Sequence, residues 1–226
     1  SFTLVLIPEI SENYYKKQSA ALKSDVEKAI KFTSVLTCFF VPVFFTCGKH
    51  IGIIVFDSAE CGEYLTASAY LMLFMGLSNI TTSILNSMGC EVQTLLFCVA
   101  GGAFMFASIW FLPNFIGIYA LLVGFSFVYV ITTALNLILL RKKCPEKPRT
   151  LKYLISTAAI TLPSVLLGVM AESVLTDVLG IFFTFIVCSL ITCTFYGLLA
   201  FGFNLISFEI IKGKAKKFFS KKPQKA

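Results

Sequence analysis

Long apolar runs dominate this chain of 226 residues, at 30–47, 64–88, 92–112, 116–140, 154–170 and 178–203. A hydrocarbon core about 30 Å thick takes about 20 helical residues to cross, so each run is long enough to span it with some tilt. Crossing at every run sorts the basic residues. Of 19 Lys and Arg, Lys16, Lys17, Lys23, Lys28 and Lys31 precede the first run, and Arg141, Lys142, Lys143, Lys147, Arg149 and Lys152 lie between the fourth and fifth. Seven lysines from Lys212 to Lys225 follow the sixth, so eighteen fall on one side and only Lys49 on the other. Cytoplasmic loops keep Lys and Arg, which fixes orientation as well as span count. The expectation is an all-α polytopic transmembrane helix bundle in the plasma membrane, with loops 11–31 and 141–153 and the C-terminal tail cytoplasmic.

Composition points the same way. With 57% hydrophobic and 14% charged residues, a soluble domain of this length lacks the polar surface to cover itself, so apolar surface must face lipid. A net charge of +7 raises nucleic acid as a partner, but these charges sit in short loops and a tail flanking the spans. Nucleic acid is therefore not expected, and membrane lipids are. Cys38, Cys98, Cys188 and Cys193 lie within apolar runs as small hydrophobes, no C-x-x-C occurs and His50 is the only histidine. No metal site, cofactor or thiol redox motif is expected. Cys47 and Cys61 both fall near the outer face, where pairing is open to them and two unpaired thiols is the simpler reading.

Five regions follow. Residues 1–12 read as the inner end of a span whose beginning is absent, which makes the chain the C-terminal part of a longer protein. Residues 13–140 form a helix bundle, 141–153 a basic loop, 154–203 two further spans and 204–226 a basic tail. The 11–31 stretch reads as an inner-surface helix or a solvated linker. Gly48, Lys49 and His50 separate the first full span from an outer interfacial segment at 51–56. In the tail, apolar residues alternate with lysines, as a surface helix or a disordered segment would have them. Pro42 and Pro163 lie inside spans and are candidate hinges. No span carries an Asp, Glu, Lys, Arg or His in its middle, so no proton relay or catalytic residue is assigned.

The chemistry is left to uncharged polar side chains. Ser78, Asn79, Thr82, Ser83, Asn86 and Ser87 occupy one half of the surface of the second full span, and Ser126, Tyr129, Thr132, Thr133 and Asn136 cover about a third of the fourth at 100° per residue. Such stripes either bond neighbouring helices or line a wet cavity. One neighbouring helix does not easily satisfy six polar positions in half a span, which favours a cavity lined by Ser78, Asn79, Thr82, Asn86, Ser126, Tyr129, Thr133 and Asn136.

Three short motifs then carry a resemblance. Leu6, Ile7, Pro8, Glu9, Ile10 and Ser11 match an L-x-P-x-[IL]-S pattern at the inner end of a span. Ile84, Leu85, Asn86, Ser87, Met88 and Gly89 match an I-L-N-x-x-G turn, and Phe115, Ile116, Gly117, Ile118, Tyr119 and Ala120, with Ile116 between Phe and Gly, look like an F-G-I-x-G/A start to the next-but-one helix. In order, spacing and membrane side these resemble the multidrug/oligosaccharidyl-lipid/polysaccharide flippase superfamily, most of all its MurJ and stage V sporulation protein B branch. The resemblance covers nearly the whole chain as the second, MATE-like lobe of a fourteen-span protein with two extra C-terminal helices. It implies two bundles that rock about a central cavity, with a polyprenyl-pyrophosphate-linked sugar such as lipid II as cargo and the missing N-terminal half as partner. The last two spans would then form the groove for the lipid tail. The branch's cavity arginines belong to the part not present, and the carboxylates of its sodium site have no counterpart in 92–112. A drug or cation antiporter of the same superfamily is the nearest alternative. A membrane-embedded sugar-processing enzyme is the alternative of another class, and no catalytic constellation points to it.

Overall fold

The computed structural model describes residues 2–176, 180–203 and 205, with side chains from Leu6 onward. All of its regular structure is helical: α1 (Phe2–Tyr15), α2 (Ser19–Phe56), α3 (Ala59–Ser68), α4 (Leu71–Ser87), α5 (Glu91–Phe111), α6 (Pro113–Ile116), α7 (Tyr119–Lys143), α8 (Thr150–Leu175) and α9 (Ile181–Gly202). Five of these helices are long and apolar enough to cross a membrane, namely α2, α5, α7, α8 and α9. A sixth span exists if α3 and α4, bent by 50° at their junction, count as one. The start of the expected 178–203 span and the 204–226 tail with its lysines lie outside the described residues, apart from Leu205.

At 38 residues, α2 is about 57 Å long, nearly twice the hydrocarbon thickness, so both of its ends have room to project. Each projecting end is met by an antiparallel neighbour. The expected surface helix at 11–31 is instead divided between α1 and α2 by a tight turn at Lys16 to Gln18. There the Gln18 and Lys17 amides donate to the Asn13 and Tyr14 carbonyls, with Lys17 left-handed at φ 56°. This is a Schellman closure built on lysine where glycine is usual. The expected break at Gly48, Lys49 and His50 is also absent, because α2 runs through it to Phe56. Gly48 and Gly52 are one turn apart on the same face, and α3 folds back against them. A Cβ on Gly52 would lie 2.3 Å from Gly62 Cα, and one on Gly48 would lie 2.8 Å from the Thr66 amide nitrogen. The glycines are therefore a small-residue seam that lets two backbones touch, as membrane helices use it. Residues 51–56 are the last turns of a helix rather than a separate interfacial segment.

Small residues recur at the other crossings. Gly76 of α4 sits on Thr37 of α2, Gly101 of α5 on the Val128 backbone of α7, and Gly168 of α8 between Thr46 and Thr192 of α2 and α9. A buried apolar cluster of Ile10, Leu22, Val26, Ile30, Leu77, Ile84, Leu85 and Leu140 joins α1, α2, α4 and α7 near one end. That end also collects the charge. Lys23 pairs with Glu146 at 3.3 Å, and Glu27 accepts the Arg149 amide at 2.8 Å, so the 11–31 and 141–153 stretches lie together. Lys49 is at the opposite end, paired with Glu63 at 3.5 Å. The partition read from the sequence thus separates the two ends of the bundle for every described basic residue.

Both candidate-hinge prolines, Pro42 and Pro163, lie within helices that continue past them. The 50° bend falls between Ser68 and Leu71, away from either. All eight cysteines are free thiols, with Cys47 buried and Cys61 exposed.

Candidate functional site

The polar residues singled out in the sequence divide into two groups. Ser78 faces inward and is buried, and one turn later Thr81 is fully buried beside α7. Asn136 of α7, itself fully buried, donates from Nδ2 to Thr81 Oγ1 at 3.1 Å and to Thr82 Oγ1 at 2.8 Å. Thr133 is buried too and donates to the Phe74 carbonyl at 3.3 Å. Nearer the opposite end Ser126 shares a hydrogen bond of 2.6 Å with Tyr70. Asn136 and Thr133 therefore bind α7 to α4, and Ser126 binds it to the junction just before α4. Interhelical bonds of this kind contribute about 0.6 kcal/mol each on average in a bilayer. Tyr129 is half-buried and stacks on Phe125 of its own helix.

Asn79 and Asn86 behave differently. Both are exposed, Ser83 and Thr82 are half-exposed, and Met75 continues the strip toward the bend. At 100° per residue these positions form one face of α4, opposite the buried Leu77, Ile80, Ile84 and Leu85. Asn79 is the ninth of 17 residues, so its amide sits about 12 Å from either end of the helix. Asn86 Oδ1 accepts from Thr94 of α5 at 2.6 Å, and Ser83 Oγ bonds back to the Asn79 carbonyl at 2.8 Å. Flanking the strip on one side are Thr33 and Thr37 of α2, close to Gly76, and on the other the Thr82–Asn136 bridge to α7.

No other described span exposes such a face. On α5 the outward residues are Val92, Leu96, Phe104, Phe106 and Trp110, on α8 Ile155, Leu162, Leu166 and Met170, and on α9 Phe182, Leu190 and Leu198. Those faces suit lipid. A primary amide in hydrocarbon without a partner costs several kcal/mol, so the α4 strip suits water or a polar ligand. Position explains the contrast: α4 lies between α2 and α7, which cover its apolar side and leave the asparagine side uncovered.

The strip ends in a defined stop. After Ser87 the Cys90 and Gly89 amides donate to the Leu85 and Asn86 carbonyls at 3.0 Å, and Gly89 has φ +75°. The I-L-N-x-x-G motif is thus a Schellman cap whose glycine sits at the left-handed position, and its asparagine is the last member of the strip. In the F-G-I motif, Gly117 at φ +55° and ψ −132° occupies a region open almost only to glycine and turns α6 into α7.

One pairing was not legible beforehand. His50 on α2 is buried, and its Nδ1 lies 3.5 Å from Glu172 Oε1 on α8, beside buried Cys47. The only histidine thus lies against Glu172 near the C-terminal ends of α2 and α8, which no spacing between residues 50 and 172 announces. Among the described residues no group of three or more His, Cys, Asp and Glu converges as a metal site would require. Comparison with known proteins gave no match among protein-family models, curated proteins or solved structures.

Proposed function

We propose that this chain is one lobe of a flippase that moves a polyprenyl-pyrophosphate-linked sugar, such as lipid II or a polysaccharide unit, to the outer face of the plasma membrane by alternating access. The observation that carries the reading is the strip of exposed Asn79 and Asn86 with half-exposed Ser83 on one face of α4, in a bundle whose other outward faces are mainly apolar. A sugar-pyrophosphate head cannot cross hydrocarbon unaided because of its desolvation cost, whereas its polyprenyl tail belongs there. Uncharged amides and hydroxyls exchange hydrogen bonds with sugar hydroxyls without holding them tightly, which suits passage more than storage. In this proposal the strip closes against a second bundle in the N-terminal half, and the pyrophosphate charge is met there. α8 and α9, with their apolar outer faces, accompany the tail. A cation or drug antiporter of the same superfamily is the alternative, and a functional carboxylate in the N-terminal half would favour it.

The test uses proteoliposomes carrying the full-length protein and a fluorescent lipid II, read with a membrane-impermeant quencher. Losing two amide contacts at about 1 kcal/mol each slows transfer by about thirtyfold in Asn79→Leu/Asn86→Leu. Transfer by the double variant at the wild-type rate, or none by the wild type, overturns the proposal.

A further inference from the structure

At the basic end of the bundle, the α1–α2 turn and the C-terminus of α7 enclose a groove of about 420 Å³ lined by Tyr14, Tyr15, Lys17, Ser19 and Lys143, with the Tyr15 hydroxyl close to the Gly89 cap of α4. Its charge is unbalanced. Nearby carboxylates are already engaged: Glu12 by Lys16, Glu146 by Lys23 and Asp25 by Lys28 and Asn13. Lys17 and Lys143 have no ion pair among the described residues, and both are exposed on the rim. Glu146 reaches the floor only as acceptor of a 3.4 Å bond from Ser19.

Two further features bear on what fits. α2 begins here with no side chain capping its first amides and no acidic residue in its first turn; the Ser19 amide donates to the Lys17 carbonyl, and Ser19 and Leu22 place the positive end of the helix beside the groove. Lys17 holds a left-handed conformation at φ 56°, so a cation stands at a turn that glycine would close more cheaply. The walls contributed by Tyr14, Tyr15 and Leu22 are amphipathic, as at a membrane boundary. We infer that this groove binds a phosphate group, with Lys17 and Lys143 as its cationic clamp, the start of α2 as its anion-facing dipole and the tyrosines against the attached glycerol or alkyl portion. The site does not depend on the transport reading, since it lies at the end of the bundle and shares no residue with the strip.

A phosphodiester lipid head and a soluble phosphate offer the same chemistry, and the experiment separates them. The full-length protein is placed in phosphatidylcholine nanodiscs containing about one-fifth phosphatidylglycerol, and retained lipid is counted by native mass spectrometry. One tightly held phosphatidylglycerol per chain is expected. Lys17→Gln/Lys143→Gln weakens it about thirtyfold, two lysines each contributing about sixfold near an anionic head. Lys142→Gln/Lys147→Gln, equal in charge and on the same face but outside the groove, changes it by less than about threefold. Lys17→Gly raises the melting temperature in pure phosphatidylcholine yet weakens the bound lipid about sixfold, which separates folding from binding. Millimolar inorganic phosphate that displaces the lipid supports the phosphate site, and phosphate that raises the melting temperature without any anionic lipid assigns a soluble source. Equal losses in the two double variants, or a wild type that retains no lipid and whose melting temperature phosphate leaves unchanged, overturn the inference.

Discussion

Replacing Gly52 by alanine tests whether α3 is held to α2 by backbone contact. The added Cβ would lie 2.3 Å from both Cα and N of Gly62 and 2.9 Å from the Ser58 carbonyl oxygen, whereas ordinary contacts begin near 3.4 Å. Every atom met is backbone, so no side chain can swing away and α3 must withdraw by about 1 Å along the seam. Overpacking of this kind costs about 1–3 kcal/mol, and the rigid neighbours place Gly52 at the upper end. Alanine's better helix propensity returns up to about 1 kcal/mol. A net loss of about 1–2 kcal/mol lowers the melting temperature by about 3–8 °C for a chain of this length. The measurement is thermal unfolding in detergent, with Gly102→Ala as control, since Gly102 lies inside α5 with nothing within 4 Å of its added Cβ. The control should melt at or slightly above the wild type. Gly52→Ala melting as high as Gly102→Ala would refute the seam.

Asn136→Ala removes two interhelical hydrogen bonds and should destabilise by about 1–2 kcal/mol, while Asn79→Ala stays within about 0.5 kcal/mol; chemical denaturation in mixed micelles distinguishes them. Gly89→Ala forces a left-handed residue at the end of α4 and should cost about 1 kcal/mol by the same assay. In intact cells a membrane-impermeant maleimide should label Cys61, which is exposed at the end of the bundle opposite the lysines. It should leave Cys98, on the lipid-facing side of α5, and Cys144 unmodified, the latter because it is buried at the lysine-bearing end away from the reagent, where burial also pushes its thiol up to about 11.

Much of this fold can be read from apolar run length. The run at 92–112 becomes α5 at Glu91–Phe111, within a residue at each end, because Glu91 and Pro113 bracket a stretch with nothing ionisable inside it. The reading fails where punctuation misleads. Gly48 and Gly52 look like helix breakers until α3 supplies the backbone they accommodate, and a seam needs both partners to be recognised. Conversely, the real break at Lys16 to Gln18 contains neither Gly nor Pro, so nothing in the local sequence marks it. The 50° bend between α3 and α4 is likewise unmarked, since Ala69 and Tyr70 are tolerated in any helix. For the site, periodicity placed the polar residues on the correct helices. It could not say which of them α7 would take up, because Asn136 and Asn79 differ in their surroundings and not in their chemistry.

On the proposed reading the Asn79, Ser83 and Asn86 face of α4 meets water within the membrane. Single cysteines at these positions, and at Leu96 and Leu198 on lipid-facing helices, in a cysteine-free form of the full-length protein in native membranes, address it directly. The account predicts that a hydrophilic maleimide labels all three α4 positions and neither lipid-facing one, with Asn79→Cys shielded when lipid II is added. Equal protection of the α4 and lipid-facing cysteines would contradict it.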